Sequence, residues 1–120
     1  MEELESFDRK GASWEGFIIQ QVIALLLPTI TPYFYRTQDG AEVDLLLIKG
    51  NQPVLALEIK YSNTPTVQKG TTIALSDLGD IPCLMVTPSV GEDYSIRPNQ
   101  LVTALARLFK HPALVSYLLP

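Results

Sequence analysis

Disulfide bridges are excluded first, because Cys83 is the only cysteine in the 120 residues. Small secreted domains usually depend on such bridges, whereas proteins of reducing compartments do without them. Long apolar runs are also missing: residues 22–27 are far short of the ~20 residues that a membrane-spanning helix needs. Residues 1–10 are charged and lack the apolar segment of a signal peptide. We therefore expect a cytoplasmic protein with no membrane segment, in which Cys83 serves as a small buried apolar side chain.

Basic charge is scarce as well. The chain has 13 acidic and 9 basic residues and a net charge of −4, and it contains no basic tract. Because proteins bind nucleic acids largely through Lys and Arg on phosphates, this balance argues against a broad nucleic-acid-binding surface. It leaves room for a local patch assisted by metal ions. A Walker A loop is absent too, since residues 69–72 carry Lys and Gly in the wrong order for one.

The residues that are present predict a folded α/β protein. Apolar residues make up 47% of the chain, and this length is sufficient for one core without staples. We expect a flexible lead-in over residues 1–10 and a single domain over residues 11–120, with a mixed central sheet flanked by helices. The predicted elements are a helix over Trp14–Leu27, a strand over Tyr33–Thr37, two strands within residues 40–62, a helix over Pro65–Leu78, strands over Pro82–Thr87 and Tyr94–Arg97, and a helix over Asn99–Lys110. The apolar tail, residues 113–120, is expected to pack on the core or on a partner chain.

Three charged residues interrupt the apolar strands of residues 40–62. Asp44 lies in the run VDLLLI, and Glu58 and Lys60 lie in VLALEIKYS. An ionised carboxylate among buried aliphatic side chains costs several kcal/mol unless it is paired or binds a metal. These three residues therefore require a common explanation.

Strand geometry brings these charges together. Alternate side chains of a strand share one face, so Glu58 and Lys60 project together. A turn near residues 49–52 folds the two strands antiparallel and places Asp44 opposite Leu57 or Glu58. Two carboxylates at this spacing are suitable ligands for Mg²⁺ or Mn²⁺. Lys60 beside them could orient a water molecule or stabilise developing negative charge.

This pattern resembles a known superfamily. Asp44 followed by Glu58-Ile59-Lys60 is similar to the motif of the PD-(D/E)xK nucleases. Over about residues 10–87, the chain looks more closely like an uncharacterised domain found at the C-terminus of many prokaryotic AAA-type ATPases. The segments that carry the closer resemblance are Trp14-Glu15-Gly16-Phe17, then Tyr35-Arg36-Thr37-x-x-Gly40-x-Glu42-Val43-Asp44, then Ala56-Leu57-Glu58-Ile59-Lys60.

The resemblance implies a restriction-endonuclease-like fold and divalent-metal-dependent hydrolysis of DNA, on branched or damaged structures. In that interpretation Asp44 and Glu58 hold the metal, the Ile59 carbonyl is a further ligand, and Lys60 positions the hydrolytic water. Glu15 would be a direct or indirect partner of the metal. A plainer role for Glu15 is to stabilise the first turn of its helix through the helix dipole.

Some roles stay open at this point. Arg36 could contact phosphate or pair with Glu42, and Gln68 and Lys69 could contact substrate or only solvent. The whole chain could also be a non-catalytic interaction module with the same fold, serving an ATPase or forming a homodimer. In that case the three charges form a buried ion cluster, and removing one partner would destabilise the fold by about 3–5 kcal/mol. DNA, an ATPase domain or other protein, and a second copy of the chain are the partners that these patterns allow.

Overall fold

Alternating apolar runs and turn residues produce six strands and four helices in the described part of the chain. The computed structural model describes residues 9–62, 64–66 and 68–120, with side chains from Trp14 onward. The elements in chain order are α1 (Arg9–Leu25), β1 (Ile30–Arg36), β2 (Glu42–Lys49), β3 (Gln52–Ile59), α2 (Lys69–Asp77), β4 (Cys83–Thr87), β5 (Tyr94–Arg97), β6 (Gln100–Ala104), α3 (Leu105–Leu108) and α4 (Pro112–Val115).

The strands form one mixed sheet in the order β1-β2-β3-β4-β6-β5. β1, β2 and β3 pair antiparallel as successive hairpins. β4 lies parallel to both β3 and β6, and β5 closes the other edge antiparallel to β6. The predicted class, an α/β protein with a mixed sheet flanked by helices, is confirmed.

The sheet is covered by an apolar layer on each face, as the two-residue period of β3 requires. Leu55, Leu57 and Ile59 pack in one buried cluster with Ile18 and Val22 of α1. The other face carries a second cluster in which Ala56 and Leu46 pack against Ala74 and Leu75 of α2. Glu58 has the same parity as Ala56, so it lies on the α2 face.

The β2–β3 hairpin has the predicted geometry. Gly50 turns the chain with a φ of 66°, a left-handed conformation that glycine adopts without steric cost. The register pairs Leu45 with Leu57, which leaves Asp44 opposite Glu58. The expectation that Asp44 faces Leu57 or Glu58 is therefore confirmed.

The predicted helix over Asn99–Lys110 is wrong. Residues Gln100–Ala104 form β6, and α3 covers only Leu105–Leu108. Val102 and Thr103 are fully buried between β4 and β5. A strand buried on both faces has no polar alternation, so an apolar run of this kind is easily mistaken for a helical face.

Other boundaries differ less. α1 begins at Arg9 and ends at Leu25 instead of spanning Trp14–Leu27, and α2 begins at Lys69 instead of Pro65. Residues 1–8 of the predicted lead-in lie outside the described residues. The tail packs on the core: Leu118 forms a bridge with Leu26, and both are buried. Among the described residues, no helix combines the length and hydropathy needed to cross a membrane.

Candidate functional site

The site lies where β2 and β3 stop pairing. Beyond the Leu45–Leu57 pair the ladder ends, and the Asp44 carboxylate takes its place. Asp44 Oδ2 accepts a hydrogen bond of 2.8 Å from the Ile59 backbone N–H. A backbone donor that the ladder leaves unpaired is thus satisfied by a side chain. Asp44 is therefore tied directly to the Glu58-Ile59-Lys60 segment.

A β-bulge interrupts the pairing of β2 with β1 at Asp44. The β1–β2 register passes from Tyr33–Leu46 directly to Tyr35–Val43. Phe34 therefore lies opposite two residues of β2, Asp44 and Leu45. Bulges bend a strand and redirect its side chains, and they are frequent beside active sites. This one places Asp44 across from Phe34 in the strand register, and both residues line one cavity.

Glu58 is the most unusual residue of the site. It is only 2% exposed, and its Oε2 atom is buried with no hydrogen-bond partner among the described residues. Oε1 lies 3.6 Å from Lys60 Nζ, which is longer than a hydrogen bond between charged groups. A buried carboxyl oxygen without a partner carries a desolvation cost of about 1–3 kcal/mol or more. An additional donor or cation would remove that cost.

Burial shifts the pKa values of both carboxyls upward. Burial, reinforced by the negative charge of Asp44, raises the pKa of Glu58 to about 7 against the weaker effect of Lys60. Burial likewise raises the pKa of Asp44, although the Ile59 amide and the Lys60 charge oppose it. Ionisation of either carboxyl is thus less favourable than in water, and added positive charge would offset this cost.

A polar cleft of about 220 Å³ opens above Glu58 at the start of α2. Its lining residues are Gly40, Glu42, Glu58, Lys60, Gln68, Gly70 and Thr71. The sequence did not predict Thr71, whose hydroxyl faces Glu58 and favours its charged form. Of the two residues with open roles, Gln68, which directly precedes α2, lines this cleft.

Gly70 holds α2 against the site. A Cβ atom at this position would lie 2.5 Å from the Gly40 carbonyl oxygen, far inside van der Waals contact. The first turn of α2 therefore packs directly on the turn that precedes β2. A glycine inside a helix that is otherwise poor in helix formers is the sequence signal for such close packing.

A larger cavity of about 470 Å³ lies elsewhere, between α2 and the turn that joins β5 to β6. Its lining residues are Thr72, Leu75, Ser76, Asp80, Arg97, Pro98, Asn99 and Gln100. Its walls contain none of the predicted site residues. Its size alone does not make it the functional site.

Glu15 lies on the opposite side of the sheet from Glu58, in the α1 layer. The ring of the preceding residue, Trp14, lies 5.5 Å from that of Tyr61, so this end of α1 is near the residue that follows Lys60. Glu15 itself is half-buried, and its role as a partner of the metal stays a prediction. The proposed pairing of Arg36 with Glu42 is confirmed, at 3.5 Å between Nε and Oε1.

A second polar cluster was missed in the sequence. Asp93 Oδ1 accepts hydrogen bonds of 2.8 Å from the Thr103 hydroxyl and 2.9 Å from Arg107 Nε. Asp93 Oδ2 lies 3.1 Å from His111 Nε2, while His111 Nδ1 accepts from the Ala113 N–H and caps α4. The cluster ties the segment before β5 to β6, α3 and α4. His111 therefore has a structural role in this cluster.

Asp44 and Glu58 are the two carboxyls that the sequence predicts as metal ligands. Among the described residues, no group of three or more His, Cys, Asp or Glu side chains is arranged to hold a metal ion. Asp44 and Glu58 offer carboxyl oxygens from adjacent strands. A metal held there would need its other ligands from backbone oxygens and water.

Comparison with known proteins places the chain in a family. A family described as a domain of unknown function, DUF4143, matches residues 10–108. The chain belongs to the DUF4143 family. The match extends over the site and the sheet, and it reaches further than the resemblance noted over residues 10–87. No solved structure matches the chain.

Relatives of this DUF4143 chain occur in mycobacteria. It is 43% identical over 75 residues to an uncharacterised protein of Mycobacterium bovis and to one of Mycobacterium tuberculosis. The aligned segment is 62% of this chain but only 17% of either relative. The relatives therefore contain much sequence with no counterpart here.

Proposed function

We propose that this chain is a divalent-metal-dependent nuclease of the PD-(D/E)xK type, which hydrolyses phosphodiester bonds in DNA. The observation that carries the proposal is the buried Oε2 atom of Glu58, which has no hydrogen-bond partner among the described residues and lies beside Asp44. Structural carboxylates of this burial are normally paired through both oxygens. A carboxylate with one unpaired oxygen at the end of a strand can bind a ligand that enters from the cleft.

The residues present fit a hard cation. Mg²⁺ is commonly bound by one or two carboxylates and retains several waters, so two carboxyls with a backbone oxygen are sufficient. Asp44, Glu58 and the Ile59 carbonyl would hold the ion. When bound, it would supply Lewis-acid stabilisation of the phosphate and lower the pKa of a coordinated water.

Each remaining residue has a role that its own surroundings support. The hydrogen bond from the Ile59 N–H fixes the Asp44 carboxylate at 2.8 Å. Lys60 lies in the cleft with its side chain 30% exposed, where its ammonium group can orient an attacking water or stabilise the phosphate. Glu15 is assigned a supporting role from the α1 side. Cytoplasmic location, expected from the lone cysteine, suits an enzyme acting on DNA.

The test is hydrolysis of end-labelled DNA in Mn²⁺ and in Mg²⁺. Single-stranded, duplex and branched substrates are compared, with EDTA as the blank. We expect cleavage by the wild type that Asp44→Asn, Glu58→Gln and Lys60→Ala each reduce at least about 100-fold, in the range for loss of one stabilising group. Glu92→Gln, an exposed carboxylate in the loop before β5, is the matched control and should cleave normally. Cleavage that persists in all three site variants would refute the assignment.

A second candidate is a non-catalytic interaction module. The net charge of −4 favours it, and so does the greater length of the relatives, which leaves room for an ATPase domain or another partner. In this case the Asp44–Glu58–Lys60 group serves stability alone. Site variants would then unfold more easily than the wild type, and metal would rescue none of them.

A further inference from the structure

The edge of the sheet beside the site carries exposed aromatic side chains. Among the described strands, β1 pairs only with β2, and Phe34 is 63% exposed. Such exposure is unusual for a phenylalanine, since burial of a large apolar side chain stabilises a fold by about 1.5–3 kcal/mol. Because of the bulge in β2, Phe34 lies across from Asp44 and Leu45 in the strand register.

A cavity connects this edge of the sheet to the site. It has a volume of about 320 Å³, and its lining residues are Phe34, Tyr35, Arg36, Val43 and Asp44. This volume is at the lower end of the range for small-ligand sites, roughly 300–1,000 Å³. The lining thus includes two aromatic residues, an arginine and one of the two proposed metal ligands.

Arg36 is available to a ligand. Its side chain is 77% exposed, and its pairing with Glu42 is a long contact between exposed groups. Such surface pairs contribute about 0–1 kcal/mol, so a phosphate can displace Glu42. A planar aromatic face next to a guanidinium is the combination that proteins use to bind unpaired nucleotides.

We propose that Phe34, Tyr35 and Arg36 form a nucleobase-stacking subsite beside Asp44, so that the substrate is nucleic acid with unpaired bases next to the scissile phosphate. The inference rests on the proposed function and names the substrate class of that site. A base within a duplex is covered by its neighbours on both faces and cannot stack on Phe34. A base in a single strand or at a junction can stack there, while its phosphate contacts Arg36.

Binding is measured separately from hydrolysis. The probe is a thymidine oligonucleotide with one 2-aminopurine, titrated with the 120-residue chain at low salt in EDTA. We expect saturable binding with a change in 2-aminopurine fluorescence, and weaker binding to the same sequence in a duplex. Phe34→Ala should weaken single-strand binding at least about 10-fold, equivalent to about 1.4 kcal/mol and within the range for base–aromatic stacking.

Two control variants test whether weaker binding merely reflects unfolding or a less apolar surface. Phe34→Tyr keeps the ring and should retain binding. Tyr94→Ala removes a side chain that is 43% exposed on the opposite edge of the sheet, and it should bind as the wild type does. Arg36→Gln should weaken binding and reduce its salt dependence, because one phosphate contact is lost.

The outcomes separate this inference from the proposed function. Phe34-dependent binding without hydrolysis in any metal would support the subsite and count against the nuclease. Metal-dependent hydrolysis that prefers duplex DNA and is unaffected in Phe34→Ala would overturn the subsite and leave the nuclease intact. No oligonucleotide binding by the folded wild type would also overturn it. So would a dimer that Phe34→Ala dissociates, because β1 would then pair with a second copy of the chain.

Discussion

Replacing Glu58 by glutamine removes a buried ionisable group while keeping its size and shape. The pKa of Glu58 is raised from an ordinary value of 4.5 to about 7, with burial as the main cause. Below about pH 4.5 the carboxyl is protonated in both the folded and the unfolded chain, so it carries no penalty. As the pH rises from 4.5 to 7, the unfolded chain releases this proton first, and the wild type loses stability.

The size of the effect follows from that pKa difference. At about 1.4 kcal/mol for each tenfold change, the loss is on the order of 3 kcal/mol once the pH exceeds 7. Glu58→Gln cannot ionise and escapes this loss. We therefore expect the variant to be more stable than the wild type by about 3 kcal/mol at pH 8 without metal, and to differ little from it at pH 4.

Urea denaturation in EDTA at pH 4 and pH 8 measures both differences. Trp14 is the only tryptophan, and its contact with Tyr61 makes its fluorescence a suitable probe. Glu92→Gln replaces an exposed carboxylate and should change stability by less than about 0.5 kcal/mol at either pH. A wild type that is more stable than Glu58→Gln at pH 8 would refute the reasoning, because Glu58 would then be ionised and well paired.

Three further predictions concern the surroundings of the site. Asp44→Ala leaves the backbone donor without its acceptor and should destabilise the fold by about 1–3 kcal/mol, whereas Asp44→Asn keeps an acceptor oxygen and should cost less; urea denaturation at pH 5 compares them. Gly70→Ala drives a methyl group into backbone and should cost about 1–3 kcal/mol, whereas Gly16→Ala, with open space in a helix, should stabilise by up to about 1 kcal/mol; equal shifts in thermal unfolding would contradict this. Burial raises the pKa of Cys83 to about 12, so a thiol reagent at pH 8 should react only as fast as the chain unfolds; rapid labelling of the folded chain would count against it.

The sequence was sufficient to predict the hairpin and its charged residues. VDLLLI and VLALEI are short apolar runs on either side of Gly50 and Asn51, and this spacing predicted the register to within a residue or two. Counting outward from this turn placed Asp44 opposite Leu57 or Glu58, and the two-residue period of strands placed Glu58 and Lys60 on one face. These features depend on neighbours close in the chain, which is why local patterns predicted them.

Other features depend on contacts that no local pattern reveals. β6 carries a run that suits either a helix or a doubly buried strand, and only its position between β4 and β5 decides the matter. The approach of Thr71 to Glu58 depends on the packing of Gly70 against Gly40. The position of Phe34 beside Asp44 depends on a bulge, and bulges leave no distinct mark in this sequence.

The polar cluster around Asp93 was missed for a related reason. Thr103, Arg107 and His111 lie 10 to 18 residues from Asp93 along the chain, so no short motif joins them to it. Burial raises the pKa of Asp93, but hydrogen bonds from Thr103 and Arg107 outweigh it and hold the pKa below its ordinary value. The Asp93 carboxylate therefore links β6, α3 and the residue before α4. The sequence shows no catalytic-triad pattern at these positions.

The most direct test of the central claim is calorimetric titration of the folded chain with Mn²⁺ at pH 8, beside Asp44→Asn, Glu58→Gln and the Glu92→Gln control. The account predicts saturable binding of about one ion per chain, with release of protons since metal ligands bind deprotonated. Binding should be lost in both site variants and retained in the control. No binding by a folded wild type, or unchanged binding in Asp44→Asn and Glu58→Gln, would contradict the claim that these two carboxyls together hold a divalent cation.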